Sequence, residues 1–286
     1  VRSLRIVGAN GGPNGDARAR RKRRFFLIRV SILLFVLFVV VLYAVRDWWS
    51  RKERRSWNRT LDVAVVLVRV DGERRVDEEA IGLLVERSGA LEERLHAEAA
   101  RYRPGSPKPF RFRVFGPVDV ASAPPEPEGD GALDLVKHTA RLAAWLRDVD
   151  PRAGVVPEHW DTRIYVRVRR PAGRKAPAFV EGRSQQNGRI GIVGVDLDAA
   201  MVDVTLFVVA HELMHTLGAT DKYDDLGRPR VPEGLAEPDR SPLYPQPFAE
   251  VMARNRPLSP GKDTIPESLD ELAVGPLTAK EIGWVR

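Results

Sequence analysis

The chain has 286 residues, no cysteine and a formal net charge of +7, so disulfides and thiolate metal ligands are excluded. The basic excess is local: residues 1–59 carry 15 Lys and Arg against 3 Asp and Glu, and the rest carry 31 against 36. The larger part is therefore mildly acidic, which with the lack of any recognisable module argues against nucleic acid as a partner.

Residues 1–24 combine Gly-Ala-Asn-Gly-Gly-Pro-Asn-Gly with a basic run and are predicted to form a disordered tail. Residues 25–45 are apolar apart from Arg29 and Ser31, over a length that spans a bilayer. Trp48 and Trp49 follow at the far end, where indoles favour the headgroup region. The run is longer than a signal-peptide core and no small-x-small cleavage site follows, so an uncleaved transmembrane helix is expected. Basic residues flank it on both sides, more densely upstream (Arg20, Arg21, Lys22, Arg23, Arg24). The expected orientation has the N-terminus cytoplasmic and the bulk of the chain periplasmic or extracellular. Basic flanks of this kind also meet anionic lipid headgroups. Residues 46–60 are expected to be a juxtamembrane linker, and residues 61–286 one folded domain.

Within that domain, Leu61 to Val70 reads as a buried strand, 77–102 as a helix, and 110–120 as a second strand. Ala121 to Gly131, with its prolines, is a loop. A helix over 132–148 follows, its apolar side built from Leu133, Val136, Ala140, Ala143 and Trp145 or their neighbours. Arg163 to Arg169 is a third strand, a polar loop runs to Asn187, and Arg189 to Asp196 is a strand. Asp198 is placed to cap a helix running through Thr205 and Phe207. The alternation predicts an α/β (α+β) domain with a mixed, mostly parallel sheet and packed helices. Residues 224–262 show little periodicity and predict an irregular C-terminal subdomain, and a short helix is expected over Thr278 to Ile282.

The chemistry is concentrated in His211-Glu212-Leu213-Met214-His215-Thr216-Leu217-Gly218-Ala219-Thr220-Asp221. Histidines four apart stack on one helical face, so His211 and His215 can converge on one ion. Zinc accepts neutral imidazole and keeps an open position in catalytic sites, where bound water becomes acidic. Glu212 is turned away from direct ligation and is the candidate general base. Gly218 suits the residue after a helix cap, where the chain can double back and bring Asp221 to the metal. Glu237 and Glu233 downstream are the rival third ligands. His96, His138 and His159 are assigned no metal role.

The stretch resembles the metzincin clan of zinc endopeptidases, whose pattern is H-E-x-x-H-x-x-G-x-x-H followed by a Met-turn. His211, Glu212, His215 and Gly218 match, and Asp221 stands where the last histidine usually is, a substitution known in some small bacterial peptidases of the clan. The resemblance implies a zincin-like fold and a membrane-anchored zinc metallopeptidase acting on polypeptide substrates. It also implies a Met-turn at Met252, and a cleft lined by Ile190 to Val195 as an edge strand; a plain interior strand is the competing reading of that segment. Tyr223 and Tyr244 are candidate hydrogen-bond donors to the developing oxyanion. An aspartate ligand leaves the site less positive than a third histidine would, which predicts an activity optimum somewhat above neutral pH. Two rival functions remain: a non-catalytic zincin-like domain that binds a partner or peptide, and a zinc amidase acting on a cell-wall component.

Overall fold

The computed structural model describes residues 13–129, 131–172, 180–184 and 186–285, which fall into two compact units meeting after Lys52. The first unit is made by helix α1 (Pro13–Arg54) as far as Lys52. The helix takes in residues 13–24 of the expected tail and 46–54 of the expected linker. Arginine, lysine and glutamate are good helix formers, so a helix nucleated in the apolar segment propagates into both flanks. The apolar side chains from Phe25 to Val45 are exposed apart from the partly exposed Val30, among them Leu33 at 68% and Phe35 at 67%, and the segment is long and apolar enough to cross a bilayer.

The second unit begins earlier than the sequence suggests, because Arg54 and Trp57 are buried in it. Arg54 donates to the carbonyls of Gly188 (2.7 Å) and Asn187 (3.3 Å), and the Trp57 indole donates to the Ile282 carbonyl at 2.9 Å. Its elements in chain order are β1 (Leu61–Val70), α2 (Glu78–Tyr102), β2 (Phe110–Val120), α3 (Ala132–Ala153), β3 (Thr162–Arg169), β4 (Val180–Ser184), β5 (Ile190–Asp196) and α4 (Val202–Thr216). Then come β6 (Ala249–Glu250), β7 (Arg256–Ser259), β8 (Lys262–Thr264), β9 (Leu272–Ala273) and α5 (Pro276–Glu281). The main sheet has the order β2-β1-β3-β5-β4, parallel except for β4, which runs antiparallel to β5.

The central strand β1 is apolar almost throughout because both its faces are covered. Val63, Val65 and Leu67 join a core with α2, α4 and α5, while Ala64, Val66 and Val68 join a second core under α3. An irregularity opposite Val66 to Val68 lets β2 change face along its length: Phe110 and Phe112 serve the first core, Val118 and Val120 the second. Partly exposed ion pairs add to this, with Arg59 bidentate to Asp161 just before β3 (2.6 Å each) and Arg87 on α2 bonded to Asp203 on α4 (2.6 Å).

Three expectations are corrected. β5 is an interior strand, hydrogen-bonded to β3 and β4, and the edge is β4, inside the segment expected to be a loop. Only the second half of α3 is buried, through Trp145, Leu146 and Val149; Leu133 and Val136 are 67% and 64% exposed, so the helix face is set by the later residues. The C-terminal part is not wholly irregular: β6 pairs with β9 and β7 with β8.

Candidate metal centre

Helix α4 is apolar nearly all round because it is buried between the sheet and the C-terminal segments. Asp198 accepts hydrogen bonds from the amides of Ala200 (3.0 Å) and Met201 (3.1 Å), fixing the turn that leads into it. At the other end the chain reverses through a Schellman arrangement, with Ala219 N donating to Met214 O (3.1 Å) and Gly218 N to His215 O (3.0 Å). Gly218 has φ +105° and a Cβ there would lie 2.7 Å from Asn187 Oδ1, so both backbone and space require glycine.

This reversal carries Asp221 back to the helix. Asp221 Oδ1 lies 3.3 Å from His211 Nε2 and 3.2 Å from His215 Nε2. The three residues offer ligand atoms within 4.8 Å of one another and could hold a metal ion. Ligand atoms on a tetrahedral zinc with bonds of about 2.05 Å sit about 3.3 Å apart, which both contacts match.

The remaining ring nitrogens are committed. His211 Nδ1 faces the Val251 carbonyl and His215 Nδ1 the Ala219 carbonyl, both at 2.9 Å. Each Nδ1 therefore carries the proton and leaves its Nε2 lone pair toward Asp221. Asp221 Oδ1 is buried, with no hydrogen-bond partner among the described residues. Three acceptors facing one another repel unless a cation or a proton sits among them. Burial opposes charge on Asp221, but the two imidazoles outweigh it and hold the carboxyl far below its ordinary range. Burial likewise opposes protonation of His215, yet Asp221, the Ala219 carbonyl and Glu212 raise its pKa.

Glu212 is 2% exposed, with Oε1 4.0 Å from His211 Nε2 and Oε2 without a hydrogen-bond partner among the described residues. Burial pushes its carboxyl above the ordinary value, against the pull of the imidazoles and the Ser184 hydroxyl. Gly182 on β4 leaves the room this side chain fills: a Cβ there would lie 2.0 Å from Oε1. The edge strand thus walls the carboxylate, a contact that sequence reading missed because five residues of Val-Glu-Gly-Arg-Ser carry almost no strand signal.

Glu233 is exposed and Glu237 only partly buried, and neither belongs to the converging group. Met252 is fully buried in the core that contains Leu213 and Met214. Its segment braces the site from two sides: Val251 receives His211, and the Met252 carbonyl receives the Lys222 amide at 2.9 Å. Tyr223 stacks on His211 at 6.3 Å between ring centroids, and burial together with the Asp221 charge raises its phenol. Among the described residues, no hydrogen bond or ring contact joins Tyr244 to His211, His215 or Asp221. His159 is exposed in the turn before β3.

Two supporting carboxylates were not anticipated. Glu250, fully buried, accepts from Met252 N (2.6 Å) and Gly275 N (3.1 Å) and so shapes the turn that meets His211. Glu281 on α5 accepts from Thr220 N (3.0 Å), Thr220 Oγ1 (2.9 Å) and the buried Lys222 ammonium (2.7 Å), clamping both neighbours of Asp221. Glu250 did leave a sequence signal, as an acid inside the apolar run Phe248 to Ala253.

A scan against models of known protein families finds no match for this chain, and no curated protein matches it.

Proposed function

We propose that the chain is a membrane-anchored zinc metallopeptidase, with zinc held by His211, His215 and Asp221. One observation carries the reading: Asp221 Oδ1 lies at tetrahedral spacing from both His211 Nε2 and His215 Nε2, beside the buried carboxylate of Glu212. Oxygen and imidazole donors suit zinc, and both histidines have the outer hydrogen-bond partners that metal-binding imidazoles use.

Zinc held there would supply a Lewis acid for the scissile carbonyl and lower the pKa of a water. Glu212 accepts the proton of the attacking water and delivers it to the departing amine; its burial keeps the carboxylate basic enough for both steps. Tyr223, beside Asp221 and stacked on His211, is positioned to donate to the oxygen on which negative charge develops. The aspartate ligand favours an optimum somewhat above neutral pH.

The apolar segment of α1 serves as a single-pass anchor, with the N-terminus inside and the peptidase unit outside. A reporter fused after Arg286 is expected to be active only outside the cytoplasm.

The deciding experiment is zinc content and peptide hydrolysis by the full chain in detergent, wild type beside Asp221→Ala and Glu212→Gln. Zinc near one per chain, falling sharply in Asp221→Ala, with hydrolysis lost but zinc kept in Glu212→Gln, is the expected result. Full hydrolysis by Glu212→Gln would overturn the mechanism. Zinc without hydrolysis of any peptide would favour the binding domain, and hydrolysis confined to cell-wall amides would favour the amidase.

A further inference from the structure

Arg254 occupies an unusual position beside the site. Its φ is +68°, the left-handed region that costs a residue with a Cβ more than it costs glycine. The turn is held there by Ala253 N on Glu250 O (2.9 Å) and Asn255 N on Ala253 O (2.8 Å). Strained, over-determined residues of this kind cluster at ligand clamps. The conformation sets the guanidinium over the Tyr223 ring, 5.4 Å from its centroid, and Tyr223 in turn stacks on His211 at 6.3 Å. The guanidinium is therefore within about 12 Å of the His211 ring, a span of roughly three extended residues.

Charge gives this placement its meaning. Arg254 is exposed, and among the described residues no carboxylate lies within ion-pair distance of it. Nearby acids are engaged elsewhere: Asp224 with Arg228 (2.8 Å), Glu281 with Lys222 (2.7 Å), and Asp263 with the Asn255 amide (2.8 Å). Arg230, also exposed and without an acidic partner among the described residues, donates to the Asp221 carbonyl. The charges of Asp221 and Glu212 would together balance a bound dication, so the site's own carboxylates would leave the two guanidiniums unneutralised. A planar guanidinium steadied on an aromatic face is suited to a carboxylate.

We propose that Arg254, supported by Arg230, is a specificity-determining residue that recognises a carboxylate on the ligand within about three residues of the bond presented to Glu212. The carboxylate belongs either to an Asp or Glu side chain or to the end of the ligand chain. The inference rests on the peptidase reading for its substrate class, but the recognition itself is measurable without turnover.

The test measures binding of short peptide hydroxamates to the zinc-loaded full chain in detergent. One pair differs by an internal Glu or Gln, and a second pair by a terminal carboxylate or carboxamide. In the wild type, the acid of at least one pair is expected to bind about tenfold tighter than its amide. The pair that discriminates identifies the source of the carboxylate. In Arg254→Gln the ratio is expected to fall to about one, and in Arg254→Glu a Lys-containing hydroxamate should become the preferred ligand. Equal binding of acid and amide by the wild type, survival of the preference in both variants, or no hydroxamate binding at all would overturn the proposal. Discrimination by a chain that cleaves no peptide would overturn only the peptidase reading, and cleavage without discrimination only the role of Arg254.

Discussion

Replacing Glu281 with alanine tests whether the loop carrying Asp221 is held by charge. The Lys222 side chain is 1% exposed, and its ammonium has three acceptors: Glu281 Oε2 at 2.7 Å, Thr220 O at 2.9 Å and Thr220 Oγ1 at 2.6 Å. Removing the carboxylate strands a buried charge with two neutral acceptors and also frees the Thr220 amide and hydroxyl. Breaking a buried pair costs about 3–5 kcal/mol. Glu281 is 23% exposed, so water replaces part of the lost interaction and the expectation falls to about 2–3 kcal/mol. For a folded unit of this size that lowers Tm by roughly 5–10 °C. The same change loosens the residues on either side of Asp221, so zinc affinity should fall about 10–100-fold, as when outer-sphere partners of metal ligands are lost. Thermal unfolding of the zinc-free chain and a competitive zinc titration measure the two effects separately. A stability loss under about 1 kcal/mol would refute the buried-charge reasoning. A full stability loss with unchanged zinc affinity would show that the clamp does not position Asp221.

Gly182→Ala places a methyl 2.0 Å from Glu212 Oε1 and 2.7 Å from its Cδ, so the carboxylate must move by about 1 Å or more; hydrolysis should fall about 100-fold with zinc retained, and undiminished turnover would show that β4 does not align Glu212. Trp57→Ala removes a buried indole packed edge-on against Phe110 and Trp284 and should cost about 3–5 kcal/mol in chemical denaturation, whereas a change below about 1 kcal/mol would mean that residues 53–60 are only a linker. The Asp161 carboxyl resists ionisation through burial, but the Arg59 hydrogen bonds and the Asp62 amide outweigh this and lower its pKa. Its folded pKa thus lies below the unfolded value of about 3.9, so the stabilisation is full above that pH and is lost as pH falls through the folded pKa. Acid titration of wild type and Asp161→Asn should show their stabilities converging at low pH, and a constant gap down to about pH 2 would contradict the assignment.

Much of the fold is legible locally. The unbroken apolar run of β1, the alternation of strands and helices as far as α4, and the Asp198 turn ahead of that helix all follow from short-range pattern, and the structure places these elements within a few residues of the expected bounds. The spacing of His211 and His215 is likewise a property of one helix, so their convergence needs no tertiary information. Pattern reading failed where a segment's role depends on a distant partner. β4 is too short and glycine-containing to announce itself, and its pairing with β5 turns an expected edge into an interior strand.

The sequence by itself determined that two histidines and a glutamate share a buried helix, that an apolar segment long enough for a bilayer precedes the folded unit, and that cysteine chemistry is absent. These are statements about composition and periodicity within a few turns of chain. Only the tertiary structure decided that Asp221, rather than Glu233 or Glu237, converges with His211 and His215. It also revealed that Glu281, 60 residues later, clamps the Asp221 loop, that Glu250 shapes the turn facing His211, and that Gly182 walls the Glu212 carboxylate. The Glu281–Thr220, Glu250–Gly275 and Gly182–Glu212 contacts join residues far apart in the chain, and their geometry is set by packing and by the need to partner buried polar groups, which local sequence pattern does not encode.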